Sequence, residues 1–197
     1  VGLTSLKATS EFYNNIWGIP REFKWSNYYS AWVTSRIGRY FKASVIVVGI
    51  SVVAVLIFSA LAGYALSRLK VRYVSAAAIG IIVITQLMPL ESVIRPLYLI
   101  MSRLRLLNGY VTLILPYIGW GMPLTILIYK NYFDTIPQEL MEAARIDGCN
   151  TFQVFTKIIW HLIGPMLATL VVMDVLWFWN DFMLPLLLLN KTQDYWT

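Results

Sequence analysis

Residues 44–66 run for about 23 positions without a charged side chain, and about 20 helical residues suffice to cross a hydrocarbon core. Three further apolar stretches follow, at 73–90, 109–129 and 158–178. Backbone polar groups in lipid must be satisfied within the segment itself, so each stretch reads as a helix. Composition agrees: 58% of the 197 residues are hydrophobic and 13% are charged, too little charge for a soluble domain of this length. The expected fold is an all-α integral membrane protein, a bundle of transmembrane helices with four firm spans.

The four runs differ in what interrupts them. The first offers small faces at Gly49, Ser51, Ser59, Ala60, Ala62 and Gly63 for close helix packing, and ends at Arg68, Lys70 and Arg72. The second holds Gln86 and breaks near Pro89, where freed backbone groups must be met by neighbours or water. Gln86 is therefore a candidate for lining a translocation path, with an interhelical hydrogen bond as the other reading. Residues 96–108 read as a basic connector carrying Arg103 and Arg105. The third run contains Pro116 and Pro123 and is expected to be bent or locally unwound.

The fourth run contains Asp174. A carboxylate near a bilayer centre costs roughly 2.5–3.5 kcal/mol, so this one should face protein or water. Asp174, Trp177, Phe178 and Asp181 recur at i, i+3, i+4 and i+7, one stripe of a helix, with Asn180 beside them. An acid next to an indole suits a sugar: hydroxyls take hydrogen bonds while the apolar sugar face stacks on the ring. This stripe is the candidate solute path. The alternative pairs Asp174 with a partner subunit and makes Trp177 an interfacial anchor.

Residues 1–43 hold no span. Trp17, Trp25, Tyr28, Tyr29 and Trp32 alternate there with charges, as in an interfacial or extramembrane loop. The net charge is +6, but most of the Lys and Arg lie at the ends of apolar runs, where they anchor helices at headgroups, and this argues against a nucleic-acid partner. Basic residues balance on the two sides of the membrane, so the positive-inside rule sets no orientation. A sequon at Asn190 is short and carries no weight.

Between the third and fourth runs, residues 137–165 are too polar for lipid and describe two short helices joined by a tight turn. Asp134 and Thr135 are candidate N-caps, and Pro137 suits a first helical turn. Leu140, Ala143 and Ala144 fall near one face, with Glu139 and Glu142 close by. Gly148 can take the left-handed conformation that ends a helix, and Asn150 with Gln153 can form a capping box. Such a stretch is either an ordinary amphipathic loop helix or a docking surface, which the small side chains of Ala143 and Ala144 would let another protein approach closely.

Glu142-Ala143-Ala144, then Gly148, then Ile158 resembles the EAA loop of permease subunits in binding-protein-dependent ABC importers. ALAGYALSRLK (60–70), IRPLYLI (94–100), LNGYVTLILPY (107–117) and WNDFMLPLLLL (179–189), in this order, are similar to the carbohydrate permeases of the maltose-transporter type over residues 20–190. That family continues Ile-x-Leu-Pro after the loop. Here Ile158 is followed by Ile159, Trp160 and His161, which leaves the helix path after the loop open.

The resemblance implies about six spans, so a first and a last span are expected beyond those seen. It implies that residues 130–157 are a cytoplasmic coupling loop and that residues 1–43 lie on the extracytoplasmic side, at the membrane surface or against a solute-binding protein. It makes Glu142, Ala143, Ala144, Asp147 and Gly148 the docking residues for a separate ATPase. It further implies a second permease subunit, two ATP-binding subunits, an extracytoplasmic solute-binding protein, a carbohydrate solute, and a bacterial or archaeal cytoplasmic membrane.

No phosphate-cradling Gly-x-x-x-x-Gly-Lys-Ser/Thr occurs, no His or Cys cluster has metal-ligand spacing, and the single His, His161, argues against most nucleophilic schemes. The chain is therefore expected to be no enzyme, with no catalytic residue, metal or cofactor of its own, and with ATP and magnesium on the partner. Two other readings stay open: a permease for another solute such as a glycerol phosphate or an amino acid, and a membrane scaffold without an ATPase.

Overall fold

The fold is taken from a computed structural model that describes residues 2–34, 36–68 and 72–189. Lys70 and the sequon at Asn190 lie outside the described residues. Every regular element among the described residues is helical.

The chain opens with a 3-10 turn (Thr4–Leu6), α1 (Thr9–Asn14) and α2 (Ser26–Thr34). Polar bonds hold this segment together. Lys7 is buried, and its Nζ donates to the carbonyls of Asn15 at 2.5 Å and Ile16 at 3.3 Å. Asn27 Nδ2 donates to the carbonyls of Ser5 and Lys7, each at 2.9 Å. Trp17, Trp25, Tyr29 and Trp32 remain exposed.

Helix α3 (Ile37–Arg68) begins earlier than the uncharged run, taking in residues 37–43 that the sequence assigned to the loop. Charges end an apolar run without ending a helix, since Arg39 and Lys42 are good helix formers. Next come α4 (Arg72–Gln86) and α5 (Leu90–Arg103), with segments Ser75–Gln86 and Glu91–Arg103 at 102° to each other. The break expected near Pro89 is present. The basic connector expected at 96–108 is instead mostly helix: Pro96 sits in the interior of α5, and the chain leaves the helix at Leu104, with Arg105 and Asn108 at positive φ.

Helix α6 (Tyr110–Thr135) is continuous through Pro116 and Pro123, with no local unwinding. Each proline lacks an N–H and frees a carbonyl four residues earlier, but tertiary packing along α3 keeps the helix whole. Helix α7 (Gln138–Ile146) follows, then α8 (Thr151–Val154), a π-helical turn (Phe155–Ile159) and α9 (Trp160–Leu162). Helices α10 (Gly164–Trp179) and α11 (Met183–Leu188) complete the described chain. The fourth apolar run is thus broken: Thr151–Leu162 and Gly164–Trp179 lie at 77°. Pro165 cannot donate back to the carbonyl of His161, so the helix stops at Ile163 and restarts.

Among the described residues, α3 and α6 can each cross a membrane by length and composition, and the two bent pairs bring the count to at most four. α3 and α6 form the central pair and run in the same direction. Gly121 meets Val55, Ser59 Oγ donates to the Met122 carbonyl at 3.5 Å, Gly63 meets Tyr129, and Ser67 meets Asp134. A Cβ on Gly63 would lie 2.8 Å from Tyr129 Cβ and 3.0 Å from the Lys130 backbone nitrogen, so only glycine permits this approach. Helix α10 packs against both, with Phe178 against Gly121. The shared core contains Val47, Val55, Leu113, Tyr129, Phe133 and Leu170.

Candidate functional site

Two regions at opposite ends of the central pair carry the sequence-predicted residues. The first is the loop after α6. Helix α6 continues through Asp134 and Thr135, so neither caps α7. Thr135 Oγ1 bonds back to the Tyr132 carbonyl at 2.7 Å, while Asp134 pairs with Lys130 at 2.6 Å and accepts from Ser67 Oγ at 2.7 Å. Pro137 occupies the N-cap position of α7.

The far end of α7 closes in a Schellman motif. Gly148 has φ +84, its N–H donates to the Arg145 carbonyl at 3.0 Å, and the Cys149 N–H donates to the Ala144 carbonyl at 2.9 Å. Asp147 is the exposed residue before the turn. Asn150 and Gln153 make the reciprocal capping box, with bonds of 2.9 and 2.8 Å.

The two faces of α7 divide differently from the sequence expectation. Met141 and Ala144 are buried in the bundle core together with Val154 and Phe155. Leu140 and Ala143 are exposed, as are Glu139 and Glu142. Ile146 is 87% exposed, and Phe152 on α8 is also exposed. Ala144 is thus a small residue pressed inward, and Ala143 is the small residue presented outward. Gln138 Nε2 donates to Glu142 Oε1 at 2.7 Å and steadies the acidic side of this face. The outward face is Glu139, Glu142, Ala143 and Ile146: two acids around an apolar tip. Met141 and Ile146 were missed in the sequence because helical periodicity fixes which residues share a face but not which face turns inward.

The second region lies where α6, α10 and α11 meet. A cleft of about 470 Å³ is lined by Tyr117, Trp120, Trp177, Phe178, Asn180 and Asp181, among others. Tyr117 donates to Asp181 Oδ2 at 2.9 Å, and its ring stacks on Phe178 at 4.8 Å between centroids. Asp181 Oδ1 accepts from the Met183 N–H at 3.1 Å, and Asn180 Nδ2 donates to the Leu176 carbonyl at 2.7 Å. Both polar residues thus shape the turn from α10 to α11 while facing the cleft. A carboxylate has about four acceptor sites, so Asp181 keeps capacity for a further donor. Trp177 is half exposed along the wall.

Gln86 lies in an adjoining cleft of about 370 Å³ with Thr85, Met88, Leu97, Gly119 and Pro123, and the two clefts share Trp120 and Leu184.

Asp174 lies apart from both clefts. It is 1% exposed, and its Oδ1 accepts from Thr125 Oγ1 at 3.5 Å in the seam between α6 and α10. The stripe read from the sequence therefore splits. Asp174 and Phe178 turn toward the core and Trp177 turns outward, while α10 ends at Trp179, so Asp181 reaches the cleft from a turn and not from the helix. Tyr117 and Trp120 were not singled out in the sequence. Their only signal was position on a proline-rich span, one helical step apart on the same side.

A family model for "Binding-protein-dependent transport system inner membrane component" matches residues 56–196. The multiple sugar-binding transport system permease protein MsmG of Streptococcus mutans is 33% identical over 98% of this chain and 70% of its own length. The probable starch degradation products transport system permease protein AmyC of Thermoanaerobacterium thermosulfurigenes is 33% identical over 96% of this chain and 68% of its own. The diacetylchitobiose uptake system permease protein NgcG of Streptomyces coelicolor is 31% identical over 98% of this chain and 64% of its own. In fold, the chain aligns over 99% of its length, at a TM-score of 0.82 and 23% identity, with 68% of a chain from a bacterial ABC transporter involved in the import of the acidic polysaccharide alginate. The chain belongs to the family of inner membrane components of binding-protein-dependent transport systems.

Proposed function

We propose that this chain is the permease subunit of an ATP-driven importer and forms half of the translocation path for a sugar or oligosaccharide across a bacterial or archaeal cytoplasmic membrane. The carbohydrate assignment draws support from relatives named for sugars, starch degradation products and diacetylchitobiose. A second permease subunit supplies the other half, a solute-binding protein delivers the sugar outside, and two ATP-binding subunits work inside, carrying the ATP and magnesium.

The observation that carries the reading is the two-sided build of α7. Met141 and Ala144 fix it to the bundle, and Glu142, Ala143 and Ile146 project from it. A short helix with one face in the core and an apolar tip exposed can transmit a push as a rigid body. In this reading the ATPase grips the outward face, and Gly148 sets the angle at which α7 leaves the loop. Closure of the ATP-binding subunits moves α7, and the spans rock between outward- and inward-open forms.

At the other end the cleft offers what a sugar needs. Trp177 and Trp120 line it with indole rings, and Asp181 and Asn180 line it with acceptors and donors. Gln86 extends the polar lining into the neighbouring cleft. Asp174 serves the packing of α6 on α10 and not the solute.

The test is reconstitution of the full-length protein with its partners in liposomes, adding binding protein loaded with each of several sugars. Stimulated ATP hydrolysis by one sugar supports the reading. Stimulation only by a glycerol phosphate or an amino acid moves the solute out of the carbohydrates, and an intact complex lacking any ATPase contradicts it.

A further inference from the structure

The last turn of α3 is far from the coupling loop in sequence, yet it touches both of that loop's arms. Tyr64, Ser67 and Arg68 stand at i, i+3 and i+4 and so share one face. Arg68 Nη2 donates to the carbonyl of Phe133, in the last turn of α6, and to that of Ile136 at 2.8 Å. Ile136 is the extended residue joining α6 to α7. The Phe133 carbonyl also accepts from the Ile136 N–H at 3.2 Å, and a cation at the C-terminus of α6 complements the helix dipole.

Ser67 Oγ donates to Asp134, which Lys130 holds from its other oxygen. The Tyr64 ring meets Phe133 edge-on at 5.8 Å and packs against Phe155 at 5.1 Å, so it spans the entry and the exit of the loop. Ala60 and Gly63, one turn back, bring the α3 backbone close enough to α6 for Arg68 to reach. Tyr64, Phe133, Met141, Ala144 and Phe155 belong to one buried cluster.

We propose that Tyr64, Ser67 and Arg68 form a positioning clamp that carries displacement of α7 into α3, so that the coupling loop drives a span to which it is not directly joined. This rests on the reading of α7 as the ATPase-docking helix. Without the clamp, α7 would act through its chain links to α6 and α8 and the core packing of Met141 and Ala144, with no polar tie to the end of α3.

The test compares Arg68→Gln, Arg68→Lys and Ser67→Ala in the full reconstituted complex, reading solute imported per ATP hydrolysed. Loss of the paired, charge-assisted bonds in Arg68→Gln should lower import per ATP about tenfold while the ATPase subunits still co-purify. Arg68→Lys keeps the charge with a shorter reach and should recover part of it. Ser67→Ala removes a single bond and should lower the ratio about threefold, and it decides the matter alone if Arg68→Gln fails to accumulate. A wild-type ratio in Ser67→Ala, and in Arg68→Gln where it accumulates, overturns the clamp. If the ratio stays wild-type in these variants while Ala143→Trp still uncouples, only the clamp falls. A wild-type complex that binds no ATPase removes the docking reading and the clamp together.

Discussion

Tyr117 and Asp181 meet at 2.9 Å between α6 and the turn that follows α10, with the Tyr117 ring stacked on Phe178 beneath them. The bond fixes the orientation of the one carboxylate that lines the larger cleft. Tyr117→Phe keeps the stack and frees the carboxylate. Removing one hydrogen bond to a charged group is worth about 1.5 kcal/mol, so the KM for solute uptake should rise about tenfold with membrane accumulation unchanged. Uptake kinetics in proteoliposomes measure this, and an unchanged KM would place the solute elsewhere.

Asp174 should behave in the opposite way. It is buried with Oδ2 unpartnered and lies outside both clefts. Asp174→Asn retains the shape and an oxygen for the Thr125 contact while removing a carboxyl that is costly to bury without an ionic partner. The expected result is an uptake KM within about twofold of wild type, with a melting temperature in detergent that is equal or higher. A large rise in KM would return Asp174 to the solute path.

The α3–α6 approach gives a packing prediction with an internal control. Gly63→Ala places a Cβ against the Lys130 backbone and should lower stability by roughly 1–3 kcal/mol. Gly49, on the same helix, has nothing within 4 Å of an added Cβ, so Gly49→Ala should be neutral or slightly stabilising. Thermal unfolding of the purified protein compares the two directly.

The two alanines of the loop separate folding from docking. Ala144 is in the core, so Ala144→Trp should cause loss of the protein from the membrane. Ala143 faces outward, so Ala143→Trp should leave the protein inserted and abolish solute-stimulated ATP hydrolysis. Quantifying membrane-inserted protein beside the stimulated rate distinguishes the two outcomes.

Local chemistry was what the sequence showed best. The positive φ of Gly148 and the Asn150–Gln153 box follow from residues within a few positions of each other, and the structure contains both. The apolar runs likewise located α3 and α6, because length and charge alone define a span. Tertiary choices were less legible. Pro116 and Pro123 leave α6 whole because α3 supports it, whereas Pro165 breaks its helix next to a glycine. A helical stripe through Asp174 and Asp181 presumes that the helix continues, and α10 ends between them. Which of Ala143 and Ala144 turns inward depends on where the bundle lies, which periodicity does not contain.

The docking of α7 is tested most directly by site-directed cross-linking to the ATPase subunit in the assembled full-length complex, with Cys149→Ser as background. Ile146→Cys, on the exposed tip, should cross-link to that subunit in high yield, and Met141→Cys, on the buried face, should not. Equal yields at the two positions, or none at Ile146→Cys in a complex that hydrolyses ATP and imports solute, would contradict the account.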